Sequence, residues 1–191
     1  MSRLRHWGFR GQAIVLLMAG SQERAMAVLE AMLREFPGDP YALASQAHVH
    51  AQRGDRRAAV AKLRQLTQLQ PTRDSAWFNL GFLLEELGDY EEAETAFRRA
   101  IELSPKLDRA WYGLGLVLIR LQRFDEAADA LKQNTKLQPM SPYGWYQLAR
   151  VHVDRHEPEE ARKIIRHLQR FEPKVAAQLV RETGLSVPDA S

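Results

Sequence analysis

The chain has 191 residues, of which 45% are hydrophobic and 27% charged, and a formal net charge of +3. That balance is ordinary for a folded protein, and no apolar run approaches the ~20 residues of a membrane span. The absence of cysteine excludes a disulfide framework, a thiolate metal site, a cysteine nucleophile and a lipid anchor on an amino-terminal cysteine, and it fits a reducing compartment.

Read from the amino terminus, Arg3, Arg5 and Arg10 lead into the apolar stretch Ala13–Ala19, and Ala25-Met26-Ala27 has the small-x-small form of a cleavage site. The stretch sits at the lower limit of a signal core and falls in phase with a repeat that fills the rest of the chain. It is therefore assigned to the fold and not to a leader. The repeat shows in three series. Prolines stand at Pro37, Pro71, Pro105, Pro139 and Pro173, each 34 residues after the last. Alanines stand at Ala25, Ala59, Ala93, Ala127 and Ala161, and small residues at Ala13, Ala47, Gly81, Gly115 and Ala149, at the same spacing. Internal repeats of this length mark stacked supersecondary units.

The spacing predicts five helix-turn-helix units: 6–39, 40–73, 74–107, 108–141 and 142–175. In the third, Trp77, Leu80, Gly81 and Leu84 share one face of a first helix, and Ala93, Phe97 and Ala100 one face of a second. The fourth repeats this with Trp111, Leu114, Gly115, Leu118, then Ala127 and Leu131. Phe9 and Leu43 take the tryptophan's place in the first two units. The small residues let paired helices approach closely. Proline after a second helix ends it. Gly20-Ser21, Gly54-Asp55 and Gly88-Asp89 predict a left-handed glycine closing one helix and a Ser or Asp capping the next. Pro158 fits the first turn of a helix. Residues 176–183 are expected to form a capping helix, with Leu179 and Val180 covering the last unit, so that 1–183 is one solenoid. Residues 184–191 are expected to be a disordered tail.

The segments Ala76-Trp77-Phe78-Asn79-Leu80-Gly81, Gly88-Asp89-Tyr90-Glu91-Glu92-Ala93, Ala96–Pro105 and Ala110–Gly115 closely resemble the tetratricopeptide-repeat consensus. The resemblance covers about nine tenths of the chain. It implies an all-α, right-handed superhelical solenoid whose first helices line an inner groove. By phase, the groove residues are Trp7, Tyr41, His48, Phe78, Asn79, Phe82, Arg109, Tyr112, Leu116, Tyr143 and Tyr146, joined by Arg10, Ile14, Ser45, Glu85, Ile119, Gln147 and Arg150. Phe78, Phe82, Tyr112 and Leu116 are expected to form an apolar strip, and Asn79 to hydrogen-bond an extended peptide. Some members of the family clamp acidic carboxyl-terminal tails through lysine, arginine and asparagine. Here Asn79 and Arg109 fit, but Ala44, His48 and Gly113 do not, so an apolar or mixed ligand segment is expected instead.

Other constellations carry less. His152 and His156 lie four apart on one helix face, the spacing of a metal pair, but no third ligand is evident, so core and turn roles are expected. His48 and His50 point to different faces. Glu85, Glu86, Glu91, Glu92 and Glu94 flank a turn and read as helix-start charges rather than a catalytic set. No glycine-rich phosphate loop and no hydrolase or zinc-protease motif occurs. The expectation is no enzyme, no cofactor and no metal.

Charge is uneven. Residues 1–73 carry eleven basic and five acidic side chains, and 74–107 carry three and eight. No basic run reaches the length of a nucleic-acid patch. The reading is a non-catalytic adaptor or scaffold of bacterial, cytoplasmic type that binds a protein or peptide, with no nucleic acid and no membrane insertion. The alternatives are an assembly or secretion chaperone for an envelope protein (with a periplasmic location), a scaffold that self-associates through its uneven charge, and a regulatory repeat subunit of a larger enzyme.

Overall fold

The computed structural model describes residues 2–187, and its described residues form eleven helices and no strand. The protein is an all-α helical-repeat solenoid. Contacts group the chain into two compact units, Met1–Asp89 and Tyr90–Ser191. The first holds α1 (Ser2–Met18), α2 (Gln22–Glu35), α3 (Pro40–Gln52), α4 (Arg56–Leu69) and α5 (Asp74–Leu87). The second holds α6 (Tyr90–Leu103), α7 (Asp108–Arg120), α8 (Phe124–Leu137), α9 (Pro142–Asp154), α10 (Pro158–Gln169) and α11 (Pro173–Thr183). Within each unit every helix packs on the next, and α11 also packs on α9. No helix among the described residues is long and apolar enough to cross a membrane.

The two small-residue series are buried where helices meet. Ala25, Ala59, Ala93, Ala127 and Ala161 are each 0% exposed. A Cβ added to Gly115 would stand 2.7 Å from Leu131 Cγ, inside the van der Waals limit, so α7 and α8 approach as closely as they do only because position 115 has no side chain. A second buried face was not picked out by the sequence reading. Ala42 and Val49 on α3, Ala76 and Leu83 on α5, Ala110 and Val117 on α7, and Gly144 and Val151 on α9 are all buried. They too recur every 34 residues. They belong to the face each of these helices turns toward the one before it.

The turns follow the glycine expectation in part. Gly20, Gly54 and Gly88 have φ of 71°, 82° and 85°. The same register position is held by Gln122 and His156, whose φ of 58° and 60° are also left-handed. Asp55 caps α4 by accepting from the Ala58 N–H at 3.1 Å. Ser21, expected to cap α2, makes no side-chain cap bond.

Helices α2, α4, α6 and α8 each end two residues before their proline. The last proline behaves differently: α10 ends at Gln169, and Pro173 opens α11. Its fixed φ suits a first turn, where its missing N–H costs nothing, so the capping helix starts three residues earlier than expected. Leu179 is fully buried and Val180 half-buried. Of the expected tail, residues 188–191 lie outside the described residues.

One bond recurs in register. The indole N–H of Trp77 donates to the Pro71 carbonyl, that of Trp111 to Pro105 and that of Trp145 to Pro139, each at 2.9 Å. The tryptophan thus satisfies a carbonyl left open where the preceding helix stops.

Candidate functional site

In the first unit α3 and α5 lie over α4 and enclose a pocket of about 230 Å³. Leu63 and Leu66 of α4 form its floor. His48, Asn79 and Phe82, three of the predicted groove residues, line it together. Phe82 is 48% exposed, an apolar wall open to solvent. Arg73 stands at the rim, bonded to the neutral side chains of Gln70 and Ser75.

The hollow has a cause in the register. Phe78, Tyr112 and Tyr146 occupy one position in successive units, and α3 carries Ala44 there. Ala44 lines the pocket, with Ala51 two turns on. A missing aromatic side chain therefore makes the cavity. In the sequence alone Ala44 stands out only as an absent clamp residue, and nothing marks Ala51 or Arg73. Comparing the concave position from unit to unit would have found the gap.

The other predicted groove residues are distributed as follows. Trp7 is exposed, and the Arg10 guanidinium lies 5.8 Å from its ring and 4.8 Å from that of Tyr41, a cation–π arrangement across α1 and α3. Phe78 and Phe82 are one turn apart on α5 in the first unit. Tyr112 and Leu116 are one turn apart on α7 in the second, all but Phe82 half-buried. Arg109 is exposed, and Tyr143 is exposed at the start of α9. Tyr146 is engaged within the chain: its hydroxyl donates to Glu182 of α11 at 2.5 Å, and Arg150 reaches the same hydroxyl at 3.3 Å. The Tyr146 hydrogen bond, followed by one from Gln178, holds the Glu182 carboxyl below the usual carboxylate range.

Gly113, one of the positions that breaks the clamp pattern, has a steric reason. A Cβ there would stand 2.5 Å from the Phe97 ring, so no side chain fits. His152 is buried, with Nδ1 2.7 Å from Glu157 Oε2, and His156 sits in the α9–α10 turn. Among the described residues no group of three or more His, Asp or Glu could hold a metal ion. Acidic side chains near the α5–α6 turn enter ion pairs: Glu86 with Arg56 at 2.9 Å, and Glu94 with Arg98 and Arg123 at 2.9 and 2.5 Å. The Arg123 bond, with Arg98 behind it, lowers the Glu126 carboxyl.

The family model described as the cilia and flagella-associated protein 70 C-terminal domain matches residues 5–184. No curated protein sequence matches the chain significantly. Several solved structures have this fold. MamA from Desulfovibrio magneticus RS-1 is 22% identical over 97% of both chains, with a TM-score of 0.78. YrrB, described as a TPR protein with an unusual peptide-binding site, is 18% identical over 91% of this chain and 90% of its own, with a TM-score of 0.82. PilF of Pseudomonas aeruginosa is 21% identical over 97% of this chain and 93% of its own, with a TM-score of 0.69. At these identities the likeness is one of fold.

Proposed function

Because the chain belongs to the family of the cilia and flagella-associated protein 70 C-terminal domain, a tetratricopeptide-repeat family, we propose that it is a non-catalytic adaptor that binds an extended peptide segment at the α3–α5 pocket. The observation that carries this reading is the hollow at Ala44, walled by Phe82 and floored by leucines. It suits one apolar side chain, since concave apolar sites with a few polar groups at the edge are the usual form of a binding pocket. Asn79 is placed to exchange hydrogen bonds with the peptide backbone, and Arg73 to meet a carboxylate beside the apolar anchor. The likeness to YrrB, a protein described as having a peptide-binding site, supports the class of ligand.

The test is selection from a peptide-display library on the wild-type chain and on an Ala44→Tyr variant. That variant supplies the aromatic side chain that the three later repeats carry at this position and fills the hollow. Peptides enriched on wild type should carry an apolar residue next to Asp or Glu and lose at least tenfold in affinity on the variant, with its melting temperature unchanged. Peptides that bind both proteins equally, or no enrichment at all, would reject the pocket as the site.

A further inference from the structure

Helix α1 carries apolar side chains on both faces. Ala13 is buried against the core, while Leu4, Trp7, Ile14, Val15 and Met18 are exposed on the opposite side. These are five of the nine large exposed hydrophobic residues of the described chain. Val15 is 65% exposed and Met18 85%. The register shows what is missing. Val49 and Ala42, one repeat later, are 0% exposed because α2 packs on α3. Val15 and Gly8 hold the same positions on α1, and no helix of the first unit covers them.

Two glycines lie within the stripe. A Cβ on Gly8 or Gly11 would meet nothing within 4 Å, and neither stands in a turn, so no neighbour in this chain requires them. Glycine inside a helix weakens it unless another backbone must come close. Charge selects the occupant and its direction. Arg3, Arg5 and Arg10 are the charged residues of α1, with His6, and α1 has no acidic residue. A parallel pair of such helices would set Arg3 against Arg3 and Arg5 against Arg5. An antiparallel pair centred on Gly11 places the two Arg3 side chains about 24 Å apart and the two Arg5 side chains about 18 Å apart along the axis, brings each to the carbonyl end of the partner helix, and leaves only the two Arg10 side chains near each other, each lying against its own Trp7 and Tyr41 rings. At that carbonyl end Glu23, in the first turn of α2, stands largely exposed beside Arg53. The carboxyl-terminal helices are a poorer match, because Arg166, Arg170 and Arg181 line one hollow there.

We propose that the exposed face of α1 is a self-association surface that takes the α1 of a second copy in antiparallel, two-fold fashion, centred on Gly11. Leu4 then packs on Met18 of the second copy, Trp7 on Val15 and Gly11 on Gly11, which gives an isologous, closed dimer. The antiparallel helix supplies the neighbour that α2 supplies to α3. This surface is separate from the α3–α5 pocket, so it stands or falls without the peptide reading.

Sedimentation across a concentration series should show a monomer–dimer equilibrium. Val15→Glu, at an exposed position, should move its midpoint at least tenfold to higher concentration without changing the circular dichroism spectrum. The absence of cysteine permits a second readout. Gly11→Cys should give a disulfide-linked dimer under mild oxidation. Leu4→Cys alone should not, while a mixture of Leu4→Cys and Met18→Cys chains should cross-link. A monomer at all concentrations, a dimer indifferent to Val15→Glu, open-ended oligomers, or Gly11→Cys chains that stay unlinked would each overturn the proposal. Vesicles of phosphatidylserine and phosphatidylcholine serve as the competing occupant. A monomer that pellets with them through α1 would assign the stripe to a lipid surface instead.

Discussion

Gln122 and His156 sit where the first three turns use glycine, and both hold a positive φ. A side chain in the left-handed region crowds the following carbonyl, at a cost of about 1–2 kcal/mol. Both residues are exposed, so replacing them removes strain and little packing. Gln122→Gly and His156→Gly should each stabilise the protein by roughly 0.5–1 kcal/mol, after the added entropy of glycine in the unfolded chain is discounted. Chemical denaturation gives the value, and a loss of stability in both variants would contradict the turn geometry. At this same scale the sequence was only partly legible. Gly54-Asp55 announces its turn, because glycine and Asp each have one dominant local use there. Gln122-Arg123 does not, because its conformation is imposed by the helices it joins and not by its own preference.

At the scale of helices, close approach sets stability. Gly115→Leu places a branched side chain where Leu131 is already fully buried, and it should cost about 3 kcal/mol by overpacking α7 against α8. An unchanged melting temperature would show that the two helices can separate freely. Helix α11 is held differently, by Leu179 beneath it and by Glu182 reaching Tyr146 on α9. A carboxylate with a depressed pKa contributes stability above its ordinary pKa and loses it as pH falls through the depressed value. Hydrogen-exchange protection of α11 should therefore fall on acidification. Glu182→Gln should lower that protection at neutral pH and remove its pH dependence. Protection that is the same in both proteins at every pH would deny the contact a role. The start of α11 was misplaced in the sequence reading because four prolines end helices and the fifth begins one. The residue type is the same in all five, and its use is decided by whether the next residues find a helix to pack on.

For the whole molecule, the 34-residue period made the helical-repeat fold legible, because identical chemistry at a fixed spacing leaves few other ways to bury it. The candidate pocket was less legible, because a cavity depends on what is absent: Ala44 matters only beside Phe78, Tyr112 and Tyr146. The apolar outer face of α1 was hidden for a related reason, since Val15 reads like Val49 until the helix that should cover it is sought. Contacts within each unit join helices adjacent in the chain, with α9–α11 and α7–α9 as the longer steps. Such local contacts predict folding in milliseconds or faster. A stopped-flow refolding trace dominated by a phase of seconds would argue against it. The tryptophan–proline bonds have an optical consequence. Trp77, Trp111 and Trp145 each tie an indole N–H to the seam between successive repeats, whereas Trp7 looks out from α1. Variants retaining a single tryptophan would make fluorescence report one seam at a time, and Trp7 alone would light the outer face of α1. The protein carries its own dyes at three of its four repeat boundaries, where opening would otherwise need a label.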